Sequence, residues 1–411
     1  MDHVHVSQAI GYVYPNETVI AWTILIAVYP YLTGLVAGAS SVSVLYTGTG
    51  VKTFKPVSRL ALLAALGFML TVPIVLLTHL GHPERALGAM ITPNFRSAFS
   101  MFGYFAMLYT FILFIEIWFE YRIYNVLQAR KSTGIKKLFY QCLSLFDDNI
   151  SPESRVFDHK WQRRIVIFSI LGAHGLHGYV GFVFSSLKSR EWWSSELTIV
   201  IFVISAIVSG LAAVIVMYLF VSAYRKVKID DNCLRGLAFY LMIFAIFTLF
   251  LEGVEFISLI YKAKEGIELI IQYVSERMYF RFFIVQFIIG AVIPISILFM
   301  VWKRKLAGMP LYVTTGIAST LALIQVFMMR YNVVIGGQEI SKTMRGYLEY
   351  HVPVWGMEGS VAAVAAILFS LLLTYIFVRI FTIDFEDEEQ LQNELASGEA
   401  TASTLESVPG N

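Results

Sequence analysis

Charge and cysteine are both scarce in this 411-residue chain. Charged residues make up 15%, against about 25% in soluble domains, which excludes an ordinary soluble globular protein. The 31 basic and 29 acidic residues leave a formal charge of +2, so there is no basic stripe of the kind that binds nucleic acid. The two cysteines, Cys142 and Cys233, stand alone and outside any Cys-x-x-Cys pattern. That spacing excludes an iron–sulfur cluster, a structural zinc or a covalently attached haem held by this chain, and we expect no metal site or bound haem here. Residues 1–17 carry no Lys or Arg ahead of the first apolar run, unlike the basic start of a cleaved signal peptide, so the first hydrophobic segment is expected to be retained.

What is abundant is apolar surface, at 57% hydrophobic and 15% aromatic residues with a mean hydropathy of +0.68. Crossing a hydrocarbon layer takes about 20 helical residues. Runs of that length lie at Val19 to Tyr46, Val57 to Leu80, Ser97 to Glu120, Arg164 to Leu187, Leu197 to Tyr224, Leu234 to Tyr261, Phe280 to Trp302, Leu311 to Arg330, and Val354 to Ile380. The expected fold is an all-α, multi-pass integral membrane protein of about nine transmembrane helices. Basic residues mark cytoplasmic loops, and placing the N-terminus outside puts 20 of the 31 Lys and Arg residues on inner loops. Residues 1–18 are then a short outer N-terminus, and the C-terminus lies inside. Residues 384–411 hold eight acidic residues and no basic ones, and read as a disordered cytoplasmic tail. The inner stretch Arg122 to Arg164 has room for an interfacial helix around Ile123 to Phe146.

A charge at the bilayer centre costs on the order of 3 kcal/mol, so ionisable residues within spans need a reason. Helix three has Glu116, helix four has His174 and His177, and helix six has Glu252 and Glu255. Each pair is spaced by three, which puts both members on one helical face. Buried carboxylates and histidines suit proton relay, and we read Glu116, His174, Glu252 and Glu255 as relay candidates; the plainer alternative is hydrogen bonding between helices. A haem-b cytochrome is a further alternative, but His174 and His177 share a helix and could not clamp one iron from both sides. His79 or His82 would have to supply the partner, at a different depth. Intramembrane carboxylates and proline-interrupted helices also leave a secondary transporter open. After helix two, His79, His82, Glu84 and Arg85 gather at the outer surface, where they could meet a polar headgroup at the rim of a lipophilic pocket or simply reach lipid phosphates.

Several stretches resemble the NrfD/PsrC family of polysulfide-reductase-type membrane subunits. They are Tyr29-Pro30-Tyr31-Leu32-Thr33-Gly34 through Ala39 in helix one, Leu80-Gly81-His82-Pro83-Glu84-Arg85 with Thr92-Pro93-Asn94 after helix two, and His177-Gly178-Tyr179 through Arg190-Glu191-Trp192-Trp193 at the end of helix four. The Thr-Pro-Asn stretch and the ninth helix are similar to the larger membrane subunits of sulfate-reducer complexes, the Dsr transmembrane complex among them. The resemblance implies two four-helix bundles, here residues 19–187 and 197–330, with a ninth helix at 354–380. It also implies exchange of electrons between menaquinone and an outward-facing, ferredoxin-like iron–sulfur subunit, within a complex whose other redox subunits include haem-bearing ones. The family's quinone-site tyrosine on helix four falls on Tyr179, and its polar helix-one position falls on Tyr29, where some relatives have histidine. The family's acidic residue ahead of Leu-Gly is replaced by His79. Taken together, the quinone-binding candidates are Tyr29, His79, His82, Arg85, His177 and Tyr179, in a cytoplasmic-membrane protein surrounded by lipid.

Overall fold

The computed structural model describes residues 8–261, 266–386, 388 and 390–393. Among them, nine helices are long and apolar enough to span a membrane. They are α1 (Ile24–Thr47), α2 (Lys55–His79), α3 (Ala98–Lys131), α4 (Pro152–Ser185) and α5 (Leu197–Arg225). The remaining four are α6 (Asp231–Tyr261), α7 (Phe280–Arg304), α8 (Gly308–Tyr331) and α9 (Ser360–Ile380). The chain is thus an all-α integral membrane protein, as its hydropathy predicts. Helices α3 and α4 run well past the apolar limits read from the sequence, by about three turns each at the shared face. Hydropathy marks where the hydrocarbon ends, whereas the backbone ladder continues until a cap or breaker stops it. Ser151 caps the extended start of α4, its side chain accepting from the backbone N–H of Ser154, while Ser97 caps the start of α3, which lies where the sequence puts it, by accepting from Ser100.

Helix α1 is the most enclosed span, packed against α2, α4, α5 and α8, while α5 touches α1, α4, α6 and α8. These two helices meet back to back at Gly38 and Gly210, where a Cβ on either would collide with the other's backbone. Small residues allow this approach, and close packing drives association inside lipid, where the hydrophobic effect is absent. Helix α9 leans on α2, and α3 packs mainly on α4 with few contacts to α2. The first half of α7, Phe280–Val292, is wound as a wider π-helix, ahead of Pro294.

Short elements finish both faces. On the N-terminal face, β1 (Gln8–Tyr12) pairs antiparallel with β2 (Arg345–Glu349), in register from Gln8 opposite Glu349 to Tyr12 opposite Arg345. An amphipathic helix at Ile267–Glu276 lies on the same side. The opposite face carries a second amphipathic helix, Gly134–Leu143. It occupies the later part of the stretch expected to be interfacial; the earlier part continues α3.

The acidic tail departs from the expectation of disorder from Asp384 onward. Residues 385–393 are helical where described, because basic side chains on this face receive them. Arg225 pairs with Asp384 at 2.6 Å and Arg59 with Glu388 at 2.7 Å, Arg155 donates to Gln392 at 3.0 Å, and Leu391 is buried. The rest of the expected tail, residues 394–411, lies outside the described residues.

Candidate functional site

Where α1, α4, α5 and α8 converge, the chain buries an imidazole and a guanidinium completely. His177 and Arg330 are both 0% exposed. Arg330 Nη2 lies 3.0 Å from His177 Nε2 and His177 Nδ1 lies 3.0 Å from Thr33 Oγ1. A guanidinium only donates, so Nε2 is the acceptor and the ring proton sits on Nδ1, directed at Thr33. The Thr33 hydroxyl in turn donates to the Pro30 carbonyl at 3.2 Å. Arg330 also donates to Ser205 Oγ at 2.8 Å and rests 3.7 Å above the Phe202 ring, which stacks on His177 at 5.6 Å. Helix α8 thereby reaches across to the first four spans.

A second polar group stands in α6, α7 and α8. Glu252 accepts from Gln286 Nε2 at 2.9 Å and from Gln325 Nε2 at 2.7 Å. Gln286 Oε1 accepts from Asn332 Nδ2 at 2.8 Å. Glu255 accepts from Thr198 on α5 at 3.0 Å. Glu252, Glu255 and Asn332 line a cavity that reaches from the α4–α5 connection down between α5, α6, α7 and α8.

Toward the opposite face the polar residues form separate islands. His174 Nε2 lies 3.2 Å from Ser41 Oγ, and Tyr109 Oη lies 2.7 Å from Ser40 Oγ. Glu116 is buried on α3, with Ser169 of α4 beside it. One turn on, Glu120 pairs with Arg59 at 2.6 Å and also accepts from Gln162. That last pair lines a polar cavity open to the C-terminal face. The relay candidates therefore occupy both halves of the protein, with His177 and Arg330 between them.

The quinone-site candidates are distributed more widely than the sequence reading implies. Tyr29 sets its ring edge-on to Phe102 at 5.5 Å between centroids. Tyr179 donates to the Ala98 carbonyl at 2.9 Å and stacks on Phe105 at 4.6 Å. Both tyrosines thus converge on the first two turns of α3. His177 does not join them: two residues apart on a helix means about 200° of rotation, and both His177 ring nitrogens are engaged on the α1–α8 side. His79 Nδ1 lies 3.0 Å from Glu358 ahead of α9. His82 sits 3.0 Å from Glu84 in the exposed loop, and the Arg85 side chain is 76% exposed. No described contact links His82 or Arg85 to either tyrosine. A loop's charges follow water, and the sequence does not show which way it folds.

The Arg-x-Trp-Trp ending has a structural role. Arg190 donates to the carbonyls of Gly337 at 2.9 Å and Ile340 at 3.1 Å, and Trp193 Nε1 to Val333 at 2.6 Å. Trp193 stacks on Trp22 at 5.2 Å, and Gln338 bonds both backbone groups of Trp22. Burial pulls the Arg190 guanidinium below its ordinary value, while Glu17 pushes it back up. The N-terminal segment, the α4–α5 connection and the α8–α9 connection are knitted into one cap.

Sequence reasoning misses Arg330, Thr33, Gln286, Gln325 and Asn332. Arg330 closes an apolar run, where an arginine reads as the end of a span. The uncharged residues give no signal against a background of membrane helix.

The family model for "Polysulphide reductase, NrfD" matches residues 14–341. The chain is 31% identical over 246 residues to a selenate reductase subunit of Mesobacillus selenatarsenatis, covering 59% of this chain and 57% of that one. It is 26% identical over 231 residues to a putative dimethyl sulfoxide reductase membrane subunit of Halobacterium salinarum, covering 56% and 50%. It is 24% identical over 349 residues to an Hdr-like menaquinol oxidoreductase integral membrane subunit of Archaeoglobus fulgidus, covering 81% and 78%. The match spans about half the length of the first two relatives.

Proposed function

We propose a function from one premise: this chain belongs to the NrfD, polysulphide reductase family. It is the quinone-interacting membrane subunit of a respiratory redox complex, exchanging electrons between menaquinone and an iron–sulfur partner docked on the N-terminal, outer face. The observation that carries this reading is the convergence of Tyr29 and Tyr179 on the start of α3, beside the sparse α2–α3 seam. A quinone needs an apolar cleft and a few well-placed hydrogen-bonding groups. The seam offers the first, and the Tyr179 hydroxyl, now spent on the Ala98 carbonyl, offers the second. His79, His82 and Arg85 stand on the same outer face, where the exposed Arg85 meets the partner or lipid phosphates.

Oxidation of a menaquinol breaks two O–H bonds and yields menaquinone, two electrons and two protons. The electrons leave to the partner's clusters, with haem-bearing subunits further along. The protons pass to the polar interior, where Glu116, His174, Glu252 and Glu255 serve as exchange groups and His177 holds its proton on Nδ1 toward Thr33. Sulfur or sulfate respiration is the setting that the sequence resemblance points to, in the cytoplasmic membrane.

In the intact complex, Tyr179→Phe and Tyr29→Phe each lower quinol-linked electron transfer at least tenfold, with assembly and melting temperature unchanged. Full turnover in both variants would remove the site from the first four spans. Gentle purification should recover menaquinone and a multi-cluster iron–sulfur subunit with the chain. Recovery of the chain alone and free of quinone would overturn the redox-subunit reading.

A further inference from the structure

The α1–α2 connection, the start of α4 and the first tail residues enclose a cavity of about 680 Å³ that opens on the C-terminal face. That volume lies within the range of small-molecule sites, about 300 to 1,000 Å³. The carboxylates in its wall are already matched. Glu120 and Glu388 both sit on the buried Arg59, at 2.6 Å and 2.7 Å, and Asp158 accepts from Arg122 at 2.8 Å. Arg155 is spent on Gln392 and on the Ile150 carbonyl. The remaining basic residues of the wall are not matched. The side chains of Lys52, His159 and Arg163 are exposed and have no hydrogen-bond or ion-pair partner among the described residues. Lys52 comes from the α1–α2 connection, whereas His159 and Arg163 are four apart on α4 and share a face. Two separate elements thus bring unmatched basic groups to one opening.

The opening also has a definite depth. Arg163 immediately precedes the apolar run of α4. Phe157 and Trp161, exposed on the same turns, set their rings 6.0 Å apart, with the Arg164 guanidinium 5.2 Å from the Trp161 ring. Aromatic and basic side chains at such a boundary mark the headgroup level of a bilayer. The anion concentrated at that level is the phosphodiester of an acidic lipid.

We infer that this cavity binds the headgroup of one anionic phospholipid, whose phosphodiester is held by Lys52 and Arg163 with His159 beside it. The buried end is already paired, so the phosphate stays at the mouth, level with its own leaflet. Basic loops attract acidic lipid diffusely; a walled cavity holds one molecule in fixed stoichiometry. The inference is independent of the quinone reading.

The test titrates the full chain in detergent with dioleoyl phosphatidylglycerol or dioleoyl phosphatidylcholine and reads retained lipid by native mass spectrometry. One equivalent of phosphatidylglycerol is held at least tenfold more tightly than phosphatidylcholine. Lys52→Gln combined with Arg163→Gln, at exposed and unpaired side chains, weakens that binding at least tenfold. Lys303→Gln combined with Arg304→Gln, the same loss of charge at exposed residues elsewhere on this face, leaves it unchanged. Equal affinity for the two lipids, or unchanged binding in the Lys52 and Arg163 variant, overturns the inference. So does equal weakening by both double variants, which would reduce the effect to diffuse attraction. Displacement of the lipid by millimolar inorganic phosphate would also overturn it, by assigning the cavity to a soluble phosphate compound; retention under that challenge upholds the lipid.

Discussion

The polar group around His177 and the one around Glu252 fasten different sets of helices. Around His177, each ring nitrogen has a partner, and Arg330, Ser205 and Thr33 complete a set that holds α1, α4, α5 and α8 together. Around Glu252, the carboxylate is equally well held by two amides, while the neighbouring Asn332 oxygen, like Arg330 Nε in the first group, has no hydrogen-bond partner among the described residues. A polar group satisfied by protein fixes helices; a buried one left unmade costs about 1 to 3 kcal/mol.

The comparison depends first on the two halves being locked together. Gly38→Val would drive a side chain into the α5 backbone at Ala206 and Gly210, and should cost about 3 kcal/mol or more, seen as loss of monodisperse protein and a lower melting temperature. Gly175→Val, on α4 with open space around its Cβ, should leave both unchanged; equal damage from the two would mean that the α1–α5 contact is not the lock. Next, Arg330→Met leaves His177 and Ser205 without their donor and should cost about 2 to 4 kcal/mol. Asn332→Leu, which gives up the bonds to Gln286 Oε1 and the Arg281 carbonyl but also removes an unsatisfied oxygen, should cost less, about 1 to 2 kcal/mol. Thermal denaturation of the two variants side by side checks the asymmetry, and equal costs would break it. The smallest effect belongs to the C-terminal face: Glu388→Gln, at a pair whose carboxylate side is 20% exposed, should shift stability by about 1 kcal/mol or less, with no change in turnover.

The spans were legible because a run of some 20 apolar residues has few alternatives in lipid. Their ends were less so, since Tyr121–Lys131 and Pro152–Arg163 are polar and yet helical. Tyr179 and Tyr29 were reachable through short motifs, and the structure brings both to α3. His177 was legible as a buried polar residue but not in its partner, which lies 153 positions away. The tail from Asp384 looked disordered because its composition is acidic; Arg59 and Arg225, far off in sequence, supply countercharge to its start, and Arg155 a hydrogen bond to Gln392.

Composition and hydropathy by themselves determined that the chain lives in a membrane as a bundle of helices, because the cost of leaving backbone groups unpaired in hydrocarbon permits little else. They also determined which few ionisable residues must face inward. The tertiary structure alone decided which of those residues meet. Side chains on different helices come within hydrogen-bonding distance only once crossing points such as Gly38 against Gly210 fix rotation and depth. A rotation of one residue would have parted His177 from Arg330 and Glu252 from Gln325.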